Sequence, residues 1–288
     1  MHYLAIVSII WAFSFGLIGN ALRDVDPIFV ATVRLGIAGL VFLPFLRIPE
    51  IPKGSARHLL FCGAVQFGVM YVSYIQAFQY LPSHLVALFS IMTPLYVVLI
   101  HDARTGHFKA KHLAAACLSI LGAAIVKTRH GTVESFWLGF GLMQIAGIAF
   151  AFGQVDYRQW KRNHPTIKDH HIFALLYAGG FSIALIASLF FTDWHKVDLD
   201  PGQIAMLSYL GVIASGLGFF LWNKGGTLCR AGTLAAFNNA VVPLAMACSL
   251  FIFGEIAKIE GGDLLRLLFG STCIFTAILV AEKSAKKH

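Results

Sequence analysis

The chain has 288 residues, of which 58% are hydrophobic and 12% charged, with a mean hydropathy of +0.74. Soluble globular domains carry about a quarter charged residues and roughly 45–50% apolar ones, so a water-soluble fold is excluded and the bilayer is the solvent. The net charge of +8 does not mark a nucleic-acid binder, because the placement of the cations along the chain gives them another role.

Apolar runs of about 18 or more residues with few charges predict membrane helices, and about 20 residues cross the hydrocarbon core. Ten such runs follow one another, at 3–22, 27–46, 59–80, 82–101, 112–128, 137–157, 172–191, 204–223, 231–254 and 264–281. The first starts beside Met1 with no basic stretch and no small-residue cleavage pattern, so it reads as a retained span and not as a signal peptide. With the N-terminus in the cytoplasm, the inner loops hold fifteen cations: Arg47, Lys53, Arg57, Arg104, Lys109, Lys111, Arg158, Lys161, Arg162, Lys168, Lys224, Arg230, Lys283, Lys286 and Lys287. The outer loops hold six, namely Arg23, Lys127, Arg129, Lys196, Lys258 and Arg266, while Arg34 lies inside the second span. This is a positive-inside bias. Both termini are therefore expected on the cytoplasmic side of a cell membrane, a bacterial inner membrane, and no nucleic-acid partner is expected. The five cysteines (Cys62, Cys117, Cys229, Cys248, Cys273) form no CxxC pair. They read as reduced packing residues, with no disulfide framework, metal site or cofactor.

Two stretches repeat. Ala231–Glu255 is an uncharged run broken by Pro243, and the earlier Pro82–Asp102 is its echo. A shift of 149 positions superposes Leu85, Ala87, Pro94 and Leu95 on Leu234, Ala236, Pro243 and Leu244. A shift of 137 places Ala12, Phe13, Phe15 and Gly16 of the first span on Ala149, Phe150, Phe152 and Gly153 of the sixth. The longer loop at Thr192–Gln203 absorbs the difference. The expected architecture is an all-α polytopic membrane protein, with ten transmembrane helices arranged as two inverted five-helix repeats, residues 1–130 and 131–288. Five is odd, so the second copy enters the membrane upside down. Inverted repeats are a recurrent plan of secondary transporters, with the substrate site near the midplane where the copies meet.

The tryptophan of the first span, the arginine of the second, and fourth spans in which small residues precede a proline resemble the drug/metabolite transporter superfamily. Within it the chain is similar to the ten-helix EamA-type family, over essentially its whole length. The second half carries that family's proline-to-GE ending at Pro243 and Gly254-Glu255; the first half departs from it, with His101-Asp102 in place of glycine-glutamate. The resemblance implies transport of amino acids, related metabolites, drugs or, in distant branches, nucleotide sugars. It also implies that the fifth and tenth spans, with Ala115, Ser119 and Ala123 and with Gly270, Ala277 and Ala281, pack behind the cavity, so a monomer is expected, with a dimer as the alternative.

Polar groups inside a bilayer need a partner, a cavity or a task. Gln66, Ser73 and Gln76 are spaced to share one face of the third span, with Tyr71 and Tyr74 beside it. Interhelical hydrogen bonds are the bland account of that face, and a site for a small amphipathic solute is the sharper one. Asn238 and Asn239 sit at mid-depth in the ninth span; adjacent residues point about 100° apart, so at most one faces a central cavity. Pro243 frees the carbonyl of residue 239, and Pro94 that of Ser90. Arg34 could hold a substrate carboxylate or bond to neighbouring helices; the resemblance favours the structural role. His84 stands in the first turn of the fourth span, as a packing residue or a titrating one. Asp102, Asp156 and Glu255 fall at span ends, where solvated pairing is the default. No carboxylate lies at mid-membrane, which disfavours obligate proton antiport through such a group.

The candidate substrate-binding residues are Trp11, Ser14, Arg34, Gln66, Ser73, Tyr74, His84, Phe89, Gln144, Trp222 and Asn238. The expected activity is secondary active transport of amino acids or related zwitterions by alternating access. The alternatives are an exporter of organic cations or drugs, or a membrane-embedded protein without transport activity. An enzyme would need a nucleophile–base pair or a histidine pair within a span, and neither stands out.

Overall fold

The structure is a computed structural model that describes residues 2–105, 117, 121–122, 125, 133–229, 231–258, 261–262, 265–273 and 276. The described residues are all-helical, with no strands. Most of the expected fifth span and part of the tenth, with Ala115, Ser119, Ala123, Ala277 and Ala281, lie outside them, as do the side chains of Asp102 and Asn239.

Among the described residues, six helices are long and apolar enough to cross a membrane. In chain order the helices are α1 (His2–Ala21), α2 (Pro27–Phe42), α3 (Ser55–Ala77), α4 (Ser83–Ser90), α5 (Thr93–Thr105), α6 (Val133–Asn163), α7 (Phe173–Phe191), α8 (Pro201–Leu228) and α9 (Ala231–Ala247). Their outer surface is apolar where lipid would lie: Leu40, Ile186, Leu189, Phe190, Phe191 and Phe251 are all exposed.

Local sequence explains where these helices start. Asp26 caps α2 by accepting the Phe29 amide at 2.7 Å, with Pro27 at the first helical position, where its missing N–H costs nothing. The same carboxylate accepts the Thr192 hydroxyl at 2.7 Å and so ties the start of α2 to the end of α7. Asp200 and Gln203 form a reciprocal capping box at the head of α8.

Three departures from ideal helix shape the interior. The fourth expected span is not one helix: α4 ends at Ser90, a turn intervenes, and α5 starts at Thr93. Pro94 cannot donate to the Ser90 carbonyl, and the Thr93 hydroxyl takes that acceptor instead at 2.8 Å. Pro243, by contrast, sits inside an uninterrupted α9. α3 and α8 each contain a π-helical segment, at Ala64–Val69 and Leu210–Leu217, and a third follows α9 at Cys248–Ile252. Each wide turn rotates the residues beyond it relative to a 3.6-residue period, so faces read from spacing alone shift.

Close helix contact is made by glycine. A Cβ on Gly63 would stand 1.9 Å from the Leu176 carbonyl oxygen, and one on Gly179 would stand 1.9 Å from that of Leu60. α3 and α7 therefore meet backbone to backbone, as small residues permit inside a membrane. Gly254 is used differently. Its φ of +71° lies in the left-handed region open mainly to glycine, and it turns the chain after the third π segment so that Glu255 points back into the bundle.

Candidate functional site: a central cavity walled by aromatics and a buried arginine

The helices enclose a cavity with about 740 Å³ of empty space, counted to its open mouth. Its lining comes from α1, α3, α4, α5, α6, α8 and α9, and also from α2, which contributes Arg34.

Arg34 is 2% exposed. Its Nε donates to Ser215 Oγ at 3.1 Å and its Nη2 to Tyr71 Oη at 3.0 Å, and Tyr71 and Ser215 share a further bond of 2.8 Å. The guanidinium also lies over the Tyr71 ring, 4.8 Å from its centroid. The third nitrogen, Nη1, has no partner, and no acidic side chain is present among the described lining residues. A permanent cation with a free donor thus borders the cavity, on a scaffold supplied by α3 and by the π segment of α8.

One wall is aromatic. Trp11 packs against Phe219 at 4.7 Å, Trp222 at 4.8 Å and Phe150 at 5.9 Å between centroids. Its Nε1 donates to the Ala214 carbonyl at 2.9 Å, which fixes the ring's orientation. Tyr74 stands edge-on to Phe15 and to Tyr71. Met70 and Met143 add soft apolar surface.

The remaining polar groups act as acceptors or weak donors. The Ser14 and Ser90 hydroxyls donate to their own helices, at Ile10 and Ala87, which leaves their oxygens able to accept. Asn238 Nδ2 reaches Gln154 Oε1 only at 3.5 Å.

Of the residues singled out from sequence, Trp11, Ser14, Arg34, Tyr74 and Asn238 border the cavity. The others stand apart from its lining. Gln66 is fully buried and donates to Asn223 Oδ1 at 3.1 Å. Ser73 is buried within the bundle. Trp222 backs Trp11 from behind. Phe89 packs on Phe136 and Phe140, and Gln144 bonds to the Tyr96 hydroxyl and the Phe140 carbonyl. On α3, then, the cavity face is Met70, Tyr71 and Tyr74, not the Gln66–Ser73–Gln76 stripe. Tyr71, Thr93, Ser215 and Phe219 carry no charge and follow no motif. Arg34, a charge in need of partners, points to Tyr71 and Ser215, and Tyr71 also stands beside the candidate stripe of the third span; nothing in the sequence marks Thr93 or Phe219.

His84 is neither a lone packing residue nor a cavity group. Its Nδ1 lies 2.7 Å from Glu255 Oε2, and the same carboxylate accepts the amides of Ser83 at 3.2 Å and His84 at 3.1 Å. Glu255 is 6% exposed, so its pairing is buried, against the solvated pairing expected at a span end. It acts as a distant N-cap for α4, at the positive end of that helix. Burial raises its pKa, but the bonds from His84 and Ser83 outweigh this and hold it below the ordinary glutamate value. Asp156 pairs with His58 at 2.7 Å.

Long apolar helices around an aromatic-walled cavity with a buried arginine make this a multi-pass membrane protein of the transporter class, and the comparisons with known proteins agree. A profile of the EamA-like transporter family matches residues 1–128. A probable biotin transporter of Pseudomonas aeruginosa is 38% identical over 282 residues, covering 97% of this chain and 96% of that protein. The biotin transporter of Escherichia coli K12 is 38% identical over 257 residues, covering 88% and 85%. A solved structure described only as a crystal structure of a protein superposes with a TM-score of 0.66 at 17% identity, over 99% of this chain and 96% of that one, a likeness of fold alone. The chain belongs to the EamA-like transporter family of the drug/metabolite transporter superfamily.

Proposed function

We propose that this protein is a secondary transporter of biotin, or of a closely similar uncharged-headed carboxylic acid, in a bacterial inner membrane. The observation that carries the reading is Arg34, whose Nη1 is buried, unpartnered and beside a cavity with no acid among its described lining residues. A carboxylate in the cavity would supply the missing acceptor in a charge-assisted bond. The names of the relatives supply the rest of the ligand.

The same electrostatics argue against both substrates favoured by sequence. An amino acid brings an ammonium group that needs a counter-charge, and the described lining residues provide no carboxylate for it. An organic cation about 4 Å from the Arg34 guanidinium would be opposed by about 4 kcal/mol at an effective dielectric of 20. Biotin carries one carboxylate and otherwise neutral, partly apolar groups, which suit the Trp11–Phe150–Phe219 wall.

Transport itself would follow from alternating exposure of the cavity between the two five-helix repeats, residues 1–130 and 131–288, with both termini cytoplasmic. Uptake of labelled biotin by a biotin-auxotrophic bacterium lacking its own carrier tests the reading. Uptake that depends on this chain and is blocked by excess biotin but not by amino acids is the expected result. Uptake competed equally by neutral amino acids would overturn it.

A further inference from the structure

The free donor of Arg34 is aimed by the rest of its guanidinium, and the aim depends on α8. A guanidinium is a rigid planar fork. Bonds from Nε to Ser215 Oγ at 3.1 Å and from Nη2 to Tyr71 Oη at 3.0 Å engage one edge of that fork. Two anchors on one edge fix the plane, and with it the direction of Nη1. Tyr71 alone would leave the group free to swing about Nη2. Ser215 Oγ is therefore the second anchor, and the backbone that carries it decides where it stands.

That backbone is not a regular helix. Ser215 lies in the π segment Leu210–Leu217. A π turn replaces the i→i+4 ladder by wider i→i+5 bonds, so it is rare and needs support from outside the helix. Two side chains give that support here. Trp11 Nε1 donates to the Ala214 carbonyl at 2.9 Å. The Tyr177 hydroxyl, reaching across from α7, shares its proton between the carbonyls of Ser215 at 2.8 Å and Gly216 at 2.7 Å. Three successive carbonyls thus accept side-chain donors. In a regular helix the following turn covers these oxygens, and donors that insert among them keep the helix from closing up. Closing the wide turn would rotate Ser215 relative to α2 and draw its hydroxyl off Nε.

The segment is also pressed onto α2 beside Arg34. A Cβ on Gly211 would stand 2.8 Å from the Ile37 Cβ, and one on Gly216 would stand 3.7 Å from the Ala38 Cα. Ile37 and Ala38 follow Arg34 by three and four residues, so they share its face of α2. Tyr177 itself has no room to move. It is 0% exposed, its ring stacks on Phe67 at 5.1 Å, and Phe42 and Phe173 lie at 5.6 and 5.3 Å between centroids. It is not one of the described residues that line the cavity.

We infer that Tyr177 is a positioning residue for substrate recognition: its hydroxyl holds the π segment of α8 open, the segment holds Ser215 Oγ on Arg34 Nε, and Nη1 is thereby aimed at the substrate carboxylate. The inference rests on the reading of the substrate as a carboxylic acid held at Arg34.

The test uses the purified full-length protein and its Tyr177→Phe, Ser215→Ala and Tyr157→Phe variants, with Tyr177→Phe and Ser215→Ala also combined. Equilibrium binding of biotin and of biotin methyl ester gives the preference for acid over ester. That ratio reports the Arg34 contact, whereas a general loosening of the fold weakens both ligands alike. Tyr177→Phe and Ser215→Ala should each lower the ratio about fivefold, within the range of one neutral hydrogen bond. The combined variant should lower it no further than Ser215→Ala does, because the two act in series. Tyr157→Phe removes another buried hydroxyl, bonded to Asp169, and should lower the melting temperature with the ratio intact. An unchanged ratio in Tyr177→Phe or Ser215→Ala, independent effects in the combined variant, or an equal fall in Tyr157→Phe would each overturn the inference. If Tyr177→Phe does not fold, Ser215→Ala decides alone, a lowered ratio sustaining the anchor and an intact one removing it. If the wild type binds no biotin, or binds acid and ester alike, the functional reading fails and the Arg34 Nε–H decides. Its magnetic resonance signal in protein with isotope-labelled arginine, assigned by its loss in Arg34→Gln, should lose its protection from solvent exchange in Tyr177→Phe but not in Tyr157→Phe. Equal protection in wild type and Tyr177→Phe would remove the positioning role.

Discussion

Replacing Arg34 by glutamine removes the one cation among the described residues of the cavity wall, and the neighbourhood shows what else is lost. Nε and Nη2 hold Ser215 and Tyr71 at 3.1 and 3.0 Å, but those two hydroxyls also bond each other at 2.8 Å, so neither is stranded when the guanidinium goes. The contact over the Tyr71 ring at 4.8 Å contributes about 0.5–2 kcal/mol. Relief of burying a charge offsets part of that loss. The fold should therefore survive, as a monodisperse peak in detergent would check. Binding should not survive so well. A hydrogen bond to a charged group contributes about 1.5–3 kcal/mol, which is roughly 10- to 100-fold in Kd. Arg34→Gln should weaken biotin by that factor and leave biotin methyl ester unchanged, while Arg34→Lys, with the charge but without the planar fork, should recover only part of the loss. Equilibrium binding of acid and ester to the three proteins measures it. Wild-type affinity for biotin in Arg34→Gln, or equal affinity of the wild type for acid and ester, would refute the assignment.

Further expectations concern the supports of the cavity. Glu255→Gln leaves the His84 ring and two α4 amides without their anion, and should destabilise the protein by about 1–3 kcal/mol, read as a lower melting temperature. Because the folded carboxyl titrates below the ordinary value of 4.5, its contribution is present above that pH and is lost as pH falls through the folded value. Wild-type melting temperature should accordingly drop more steeply on acidification below that range than that of Glu255→Gln; parallel curves would argue against the pairing. Gly179→Ala sets a methyl 1.9 Å from the Leu60 carbonyl oxygen, and should cost about 1–3 kcal/mol by overpacking α3 against α7, seen as reduced folded yield. Asn238→Ala should lower the rate of biotin uptake while membrane insertion stays normal; unchanged uptake would take Asn238 out of the site.

How much of this was legible in the chain differs from element to element. Arg34 and Trp11 stand out in any reading, since a charge within an apolar span must have a partner or a task. The freed Ser90 carbonyl follows from Pro94 alone, although its capture by the neighbouring Thr93 hydroxyl does not. The Gln66–Ser73–Gln76 stripe misled because spacing shows which residues share a face but not which neighbour that face meets, and here the adjacent Met70, Tyr71 and Tyr74 line the cavity. Glu255 read as a solvated terminal acid because its partners, Ser83 and His84, lie more than 170 positions away.

By itself, then, the sequence determined what each segment must avoid: apolar runs must leave water, buried charges must find counterparts, and proline must leave a carbonyl unbonded. Those are local costs, set by composition and short-range geometry. Only the tertiary structure decided which groups meet. Arg34 joined to Tyr71 and Ser215, Glu255 seated on the first turn of α4, and Gln66 bonded to Asn223 are all contacts between distant parts of the chain. Their pairing depends on where wide helical turns and glycine contacts let the helices rotate and approach, and no run of neighbouring residues encodes that.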